Sequence, residues 1–161
     1  MPAMTLLGWF HTIMGIAAIV LAAVALFRHG LIRASDREGA AYLVITVIVA
    51  GSALGIYNQG SFGVAHYLAV LTLVAAFGGF ILERFNLFGR FSPYFQAIAY
   101  TATILFHMIP AITDFLRRLP VGDPFIDSFD SPVLQGFHLA FLFCYLAGVT
   151  VQILKLRRSA I

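Results

Sequence analysis

The sequence predicts an all-α integral membrane protein, a single bundle of five transmembrane helices over residues 1–161 with the N-terminus outside and the C-terminus in the cytoplasm. Three observations carry this. Hydrophobic residues make up 61% of the chain and charged residues 11%, with a mean hydropathy of +0.94, too apolar for a water-soluble core. The apolar residues fall in stretches of about 20, the length a helix needs to cross a hydrocarbon layer of about 30 Å. Basic residues collect at alternate ends of those stretches. Disorder and nucleic-acid binding are excluded, because the basic residues flank apolar spans and report topology instead of phosphate contacts. A disulfide scaffold is excluded by the single cysteine, Cys144.

The first run, Thr5 to Phe27, has no basic residue before it and is too long for the apolar part of a signal peptide, so it is expected to remain in the mature protein. The second, Ala40 to Tyr57, contains the G-x-x-x-G step Gly51/Gly55, read as a close packing step within the bundle or at a homodimer contact. The third, Phe62 to Leu82, is thinned by Ala75, Ala76, Gly78 and Gly79. Phe85, Phe88, Phe91 and Phe95 then alternate with Arg84 and Arg90, a pattern for a segment lying in the membrane interface. The fourth and fifth runs are Pro93 to Ile112 and Pro132 to Leu154. Between them, Leu119 to Ser131 is too short to fold alone.

Arg28, Arg33, Arg37, Arg84, Arg90, Lys155, Arg157 and Arg158 all fall on one side of this arrangement, and Arg117 and Arg118 on the other among Asp114, Asp123, Asp127 and Asp130. The positive-inside rule places the larger set in the cytoplasm, which gives the stated orientation.

Four spans each carry one histidine: His11, His66, His107 and His138. At 1.5 Å rise per residue each lies roughly 6 to 9 Å below the outer surface of the hydrocarbon core. Ionisable groups in a membrane usually face a bundle interior, a cavity or a ligand, so this layer is the candidate site. The bland reading is a set of separately hydrogen-bonded polar groups. His29 is expected to be solvated and nearly silent on substitution.

Polar residues recur at helical spacing on the last two spans. Gln96, Tyr100, Thr103, His107 and Asp114 share one face, as do Gln135, His138, Tyr145 and Gln152. The two stripes are expected to face each other and bring His107 near His138, with Tyr100, Gln135 and Tyr145 orienting the ligands through hydrogen bonds. Pro110 removes a backbone bond to the carbonyl of Phe106, beside His107. The imidazoles suit one haem b held by two axial histidines, with Gly8, Gly15 or Gly136 widening the slot. They also suit Zn, Cu or Fe bound by several histidines with Asp114 as an oxygen ligand. Asp114 has the alternative of pairing with Arg117 or Arg118.

The stretches Ser52-Ala-Leu-Gly-Ile-Tyr57 and Phe62-Gly-Val-Ala-His-Tyr-Leu68, with the early Gly8-Trp-Phe-His11, resemble the domain-of-unknown-function 2306 family of bacterial membrane proteins over roughly the first half of the chain. The resemblance implies a multi-pass protein of the bacterial inner membrane and carries over His11 and His66. The chain departs from the family at Ser35-Asp-Arg-Glu38, where a His-Arg pair is usual, and near Pro93-Tyr94, where a further histidine is absent. A histidine pair at the cytoplasmic face is therefore not expected.

Three functions follow as expectations. The preferred one is a small redox protein transferring electrons through haem b or a metal in the outer leaflet, with a quinone as a candidate partner. The second is a non-catalytic packing or assembly subunit of a larger membrane complex. The third is a metal-dependent membrane enzyme using Asp114 with the histidines.

Overall fold

A computed structural model describes residues 4–57 and 61–159. These form five α-helices: α1 (Leu6–His29), α2 (Arg37–Ala53), α3 (Val64–Phe85), α4 (Ser92–Arg118) and α5 (Pro132–Ser159), with a 3-10 turn at Gly89–Phe91 before α4. Among the described residues there is no strand.

Local chemistry sets the ends. The Thr5 side chain accepts the Gly8 N–H at 3.1 Å and caps α1, and Gly30 closes it in the left-handed region at φ 69°, its N–H reaching the Leu26 carbonyl. Asn86 closes α3 the same way at φ 50°. Pro93 sits in the first turn of α4, where its missing N–H is harmless. Farther along, α4 runs through Pro110 without ending.

Four helices, α1, α3, α4 and α5, are long and apolar enough to cross a membrane. The expected second span differs. It ends at Ala53 and not Tyr57, because the Gly55 and Ile56 N–H groups turn back to Ser52 and Ala53 in tight i→i−3 bonds. At 17 residues α2 is about 26 Å long, short of a full hydrocarbon layer. α4 exceeds the expected span at its far end, continuing from Ile112 to Arg118 as an i,i+4 Asp114–Arg118 pair extends it past the apolar run.

α4 is the hub, packing on α1, α3 and α5, while α2 packs between α1 and α3. The main core sets the small face of α1 (Ala18, Ala22, Ala25) against Tyr42, Leu43 and Tyr100. A smaller cluster of Leu116, Ile126 and Leu134 ties the α4–α5 loop to the opposite end of the bundle. Of the expected Gly51/Gly55 packing step only Gly55 is close to another helix, a built Cβ lying 3.2 Å from the Leu7 side chain, while nothing lies within 4 Å of one on Gly51. The tighter helix-to-helix approach is at Gly79, where a Cβ would lie 2.5 Å from the Tyr100 ring. Phe85, Phe88, Phe91 and Phe95 are exposed at the α3–α4 corner, as an interfacial segment requires.

Candidate functional site

The interior of the bundle is polar along one line. Gln96, Tyr100, Thr103 and His107 are all buried on α4, at the predicted spacing of one face. That face does not meet α5, contrary to expectation. Gln96 donates to the Ile32 carbonyl and to Glu83, Tyr100 donates to Glu83, Thr103 pairs with Tyr42 of α2, and His107 with Thr46 of α2. α5 uses a different face of α4: Gln152 accepts from Thr101, Tyr145 donates to the Ile98 carbonyl, and His138 pairs with Thr113. One residue along a helix is a rotation of about 100°, so Thr101 and Tyr100 necessarily serve different neighbours. The His107 and His138 rings are therefore committed to different helices, and their expected approach is replaced by these separate bonds.

At the end of the bundle that carries the basic cluster, the line terminates at Glu83, which the sequence reading passed over. Its carboxylate accepts the Ala34 and Ser35 N–H groups at 2.7 and 3.0 Å and the Gln96 amide and Tyr100 hydroxyl at 3.1 Å each. Four donors on two oxygens clamp the α1–α2 loop to α3 and α4. The signal was present: Thr72, Ala76, Gly79 and Glu83 repeat the 4, 3, 4 spacing of the α4 stripe.

Thr103 gives its hydroxyl proton to the Tyr100 carbonyl at 2.6 Å, so Tyr42 donates to Thr103, at 2.5 Å. Thr46, one turn on from Tyr42, lies 3.2 Å from the His107 Nε2, and the Tyr42 and His107 rings meet edge-on at 6.3 Å. His11 and Asp114 line one small cavity beyond this pair. Among the described residues no side chain bridges the step from the Tyr100 phenol to the Tyr42–Thr103 pair.

The four imidazoles of the predicted layer are thus held in different ways. His11 donates from Nδ1 to the Val49 carbonyl at 3.1 Å with Ser52 Oγ at 3.0 Å, which leaves the lone pair of a neutral ring on Nε2. A cavity of about 30 Å³ adjoins this ring, lined also by Asp114 and Arg118. His66 accepts the Gly63 N–H on Nδ1, at the position where a capping glutamate or glutamine often sits. Its proton is therefore on Nε2, buried without a hydrogen-bond partner among the described residues, and the ring lies between Tyr57 and Phe62 at 4.6 and 4.7 Å. In that tautomer His66 has no lone pair for a metal. Thr113 gives its proton to the Ile109 carbonyl, so His138 donates from Nε2.

Among the described residues no three His, Cys, Asp or Glu side chains come together as a metal-binding group. Asp114 is exposed and pairs with Arg118 at 3.6 Å, the alternative foreseen for it. The hydrogen bonds of Tyr100, Gln135 and Tyr145 go to Glu83, to the Asp130 carbonyl and to the Ile98 carbonyl, not to an imidazole. The histidine expected to be silent is engaged instead: His29 Nε2 lies 3.4 Å from Glu38, which also pairs with Arg28, and Nδ1 lies 4.0 Å from Asp36. The Glu38 carboxyl is held below the usual range, first by its own backbone N–H and then by His29 and Arg28.

No protein-family model, curated protein or solved structure matches the chain.

Proposed function

We propose that the protein is a multi-pass protein of the bacterial inner membrane that passes protons through its bundle, between His11, His107 and Asp114 near the outer face and Glu83 near the cytoplasmic face. The observation that supports this reading most directly is the line of buried polar side chains on α2 and α4, with titratable groups at both ends. Such groups inside a membrane segment are expensive and mark proton and ion pathways. A neutral imidazole can take a proton on one nitrogen and release one from the other, and hydroxyls of Tyr42, Thr46 and Thr103 can hand a proton on by rotating. The unbridged step at the Tyr100 phenol requires a water molecule.

The test is proton influx into vesicles containing the reconstituted chain and a pH-sensitive dye, driven by a potassium diffusion potential. The parent is expected to exceed empty vesicles, and His107→Leu and Tyr42→Phe are expected to reduce its flux about tenfold or more. Flux equal to that of empty vesicles, or indifferent to both substitutions, defeats the proposal and leaves the packing-subunit reading.

A second reading keeps the redox expectation in narrower form, with a metal or haem iron held by His11. It is favoured by the carbonyl-anchored Nδ1–H, which is how ligating histidines are commonly oriented. The tautomer of His66 and the separate bonds of the four rings do not fit a compact set of all four. A visible spectrum and metal analysis of the purified protein, with His11→Ala as comparison, test it.

A further inference from the structure

A second cavity, of about 300 Å³, opens at the basic end of the bundle between the α1–α2 loop, the end of α3, the start of α4 and the last turns of α5. Its polar wall consists of Arg33, Ser35, Glu83, Asn86, Ser92 and Gln96. Glu83 has four donors of its own and little acceptor capacity left. Ser92 Oγ already accepts the Phe88 N–H at 2.9 Å, so it has its proton to give. The Arg33 guanidinium makes no hydrogen bond or ion pair with any described residue; only its backbone carbonyl is engaged, by the Asp36 N–H. The guanidinium, two serine hydroxyls and the Asn86 amide thus offer donors, and the first turn of α4 adds the positive end of its dipole.

A wall of unused donors around an arginine selects an anionic ligand rich in acceptors. The rest of the lining is apolar: Leu31, Leu82 and Leu156. Beside it lie the exposed rings of Phe85, Phe88 and Phe91, at the level where head groups meet acyl chains. Basic pockets between helix ends are favourable for anionic head groups, and the small volume suits a phosphate ester and not a larger solute. We propose that this cavity is a phosphate-ester site, occupied by the head group of an anionic phospholipid, with Arg33 as the principal contact. The proposal is independent of the proton reading.

The test uses the purified full chain in neutral detergent, with native mass spectrometry scoring binding of dioleoylphosphatidylglycerol, of dioleoylglycerol, which lacks the phosphate, and of inorganic phosphate. Phosphatidylglycerol is expected to bind and dioleoylglycerol not to. Arg33→Gln should weaken binding about tenfold, the loss of one charged hydrogen-bonding partner. Arg90→Gln, whose guanidinium sits on Phe91 outside the cavity, should leave it unchanged. If Arg33→Gln does not fold, Arg33→Lys, which keeps the charge and loses the fork, should show a smaller loss in the same direction. Arg33-dependent binding of inorganic phosphate as tight as that of the lipid supports the site and assigns it to a soluble phosphate. Equal binding of dioleoylglycerol, equal loss in Arg90→Gln, or binding indifferent to both Arg33 variants overturns the proposal.

Discussion

Replacing Glu83 by Gln keeps size and shape while removing the charge, and its consequence can be worked from the four bonds. Oε2 accepts from Ala34, Gln96 and Tyr100, and Oε1 from Ser35. The glutamine oxygen takes the position with three donors, so three bonds survive without charge assistance, each weaker by about 0.5–1 kcal/mol. The amide NH₂ then faces the Ser35 N–H, donor against donor, at a cost of about 1 kcal/mol, the low end because Ser35 is exposed and reaches water. Together these give a destabilisation of about 2.5–4 kcal/mol, with the loop at residues 33–36 loosened first. The assay is helicity by circular dichroism in detergent micelles against an increasing fraction of dodecyl sulfate, with amide hydrogen exchange of Ala34 and Ser35 as the local readout. A change below about 0.5 kcal/mol with exchange unaltered at both amides would refute the Glu83 side chain as the clamp on this loop.

The closest helix approach gives a paired test: Gly79→Ala should destabilise by about 1–3 kcal/mol through its clash with Tyr100, whereas Gly78→Ala, with nothing within 4 Å of its Cβ, should be neutral or stabilising by up to about 1 kcal/mol in the same unfolding assay. His66→Ala should cost about 1 kcal/mol as a lost helix cap and His66→Gln much less, and equal losses would show that the ring stacking with Tyr57 and Phe62 dominates. The lowered Glu38 carboxyl adds stability that is complete at neutral pH and is lost as the pH falls through its depressed value. Melting of the parent and of Glu38→Gln should therefore differ at neutral pH and converge in acid; a constant difference would contradict the Arg28–His29–Glu38 cluster.

The sequence by itself determined the class of protein and the helices, because a run of about 20 apolar residues has few ways to satisfy its backbone other than as a helix in lipid. It also determined that Gln96, Tyr100, Thr103 and His107 share a face, since that follows from helical period alone. Tertiary structure decided which neighbour the face meets. A periodic stripe says nothing about the rotation of one helix against another, and so α4 turns this stripe toward α2 and Glu83 and offers α5 the side of Thr101 instead. The same limit applies to the histidines. A common depth is what counting residues leads one to expect of them, but the nitrogen each ring leaves free depends on partners from elsewhere: the Gly63 N–H for His66 and the Val49 carbonyl for His11. Glu83 illustrates both sides of this. Its place on the buried face of α3 was legible in the spacing from Thr72 through Gly79, while its four donors come from a loop, a helix start and a tyrosine that only folding brings together.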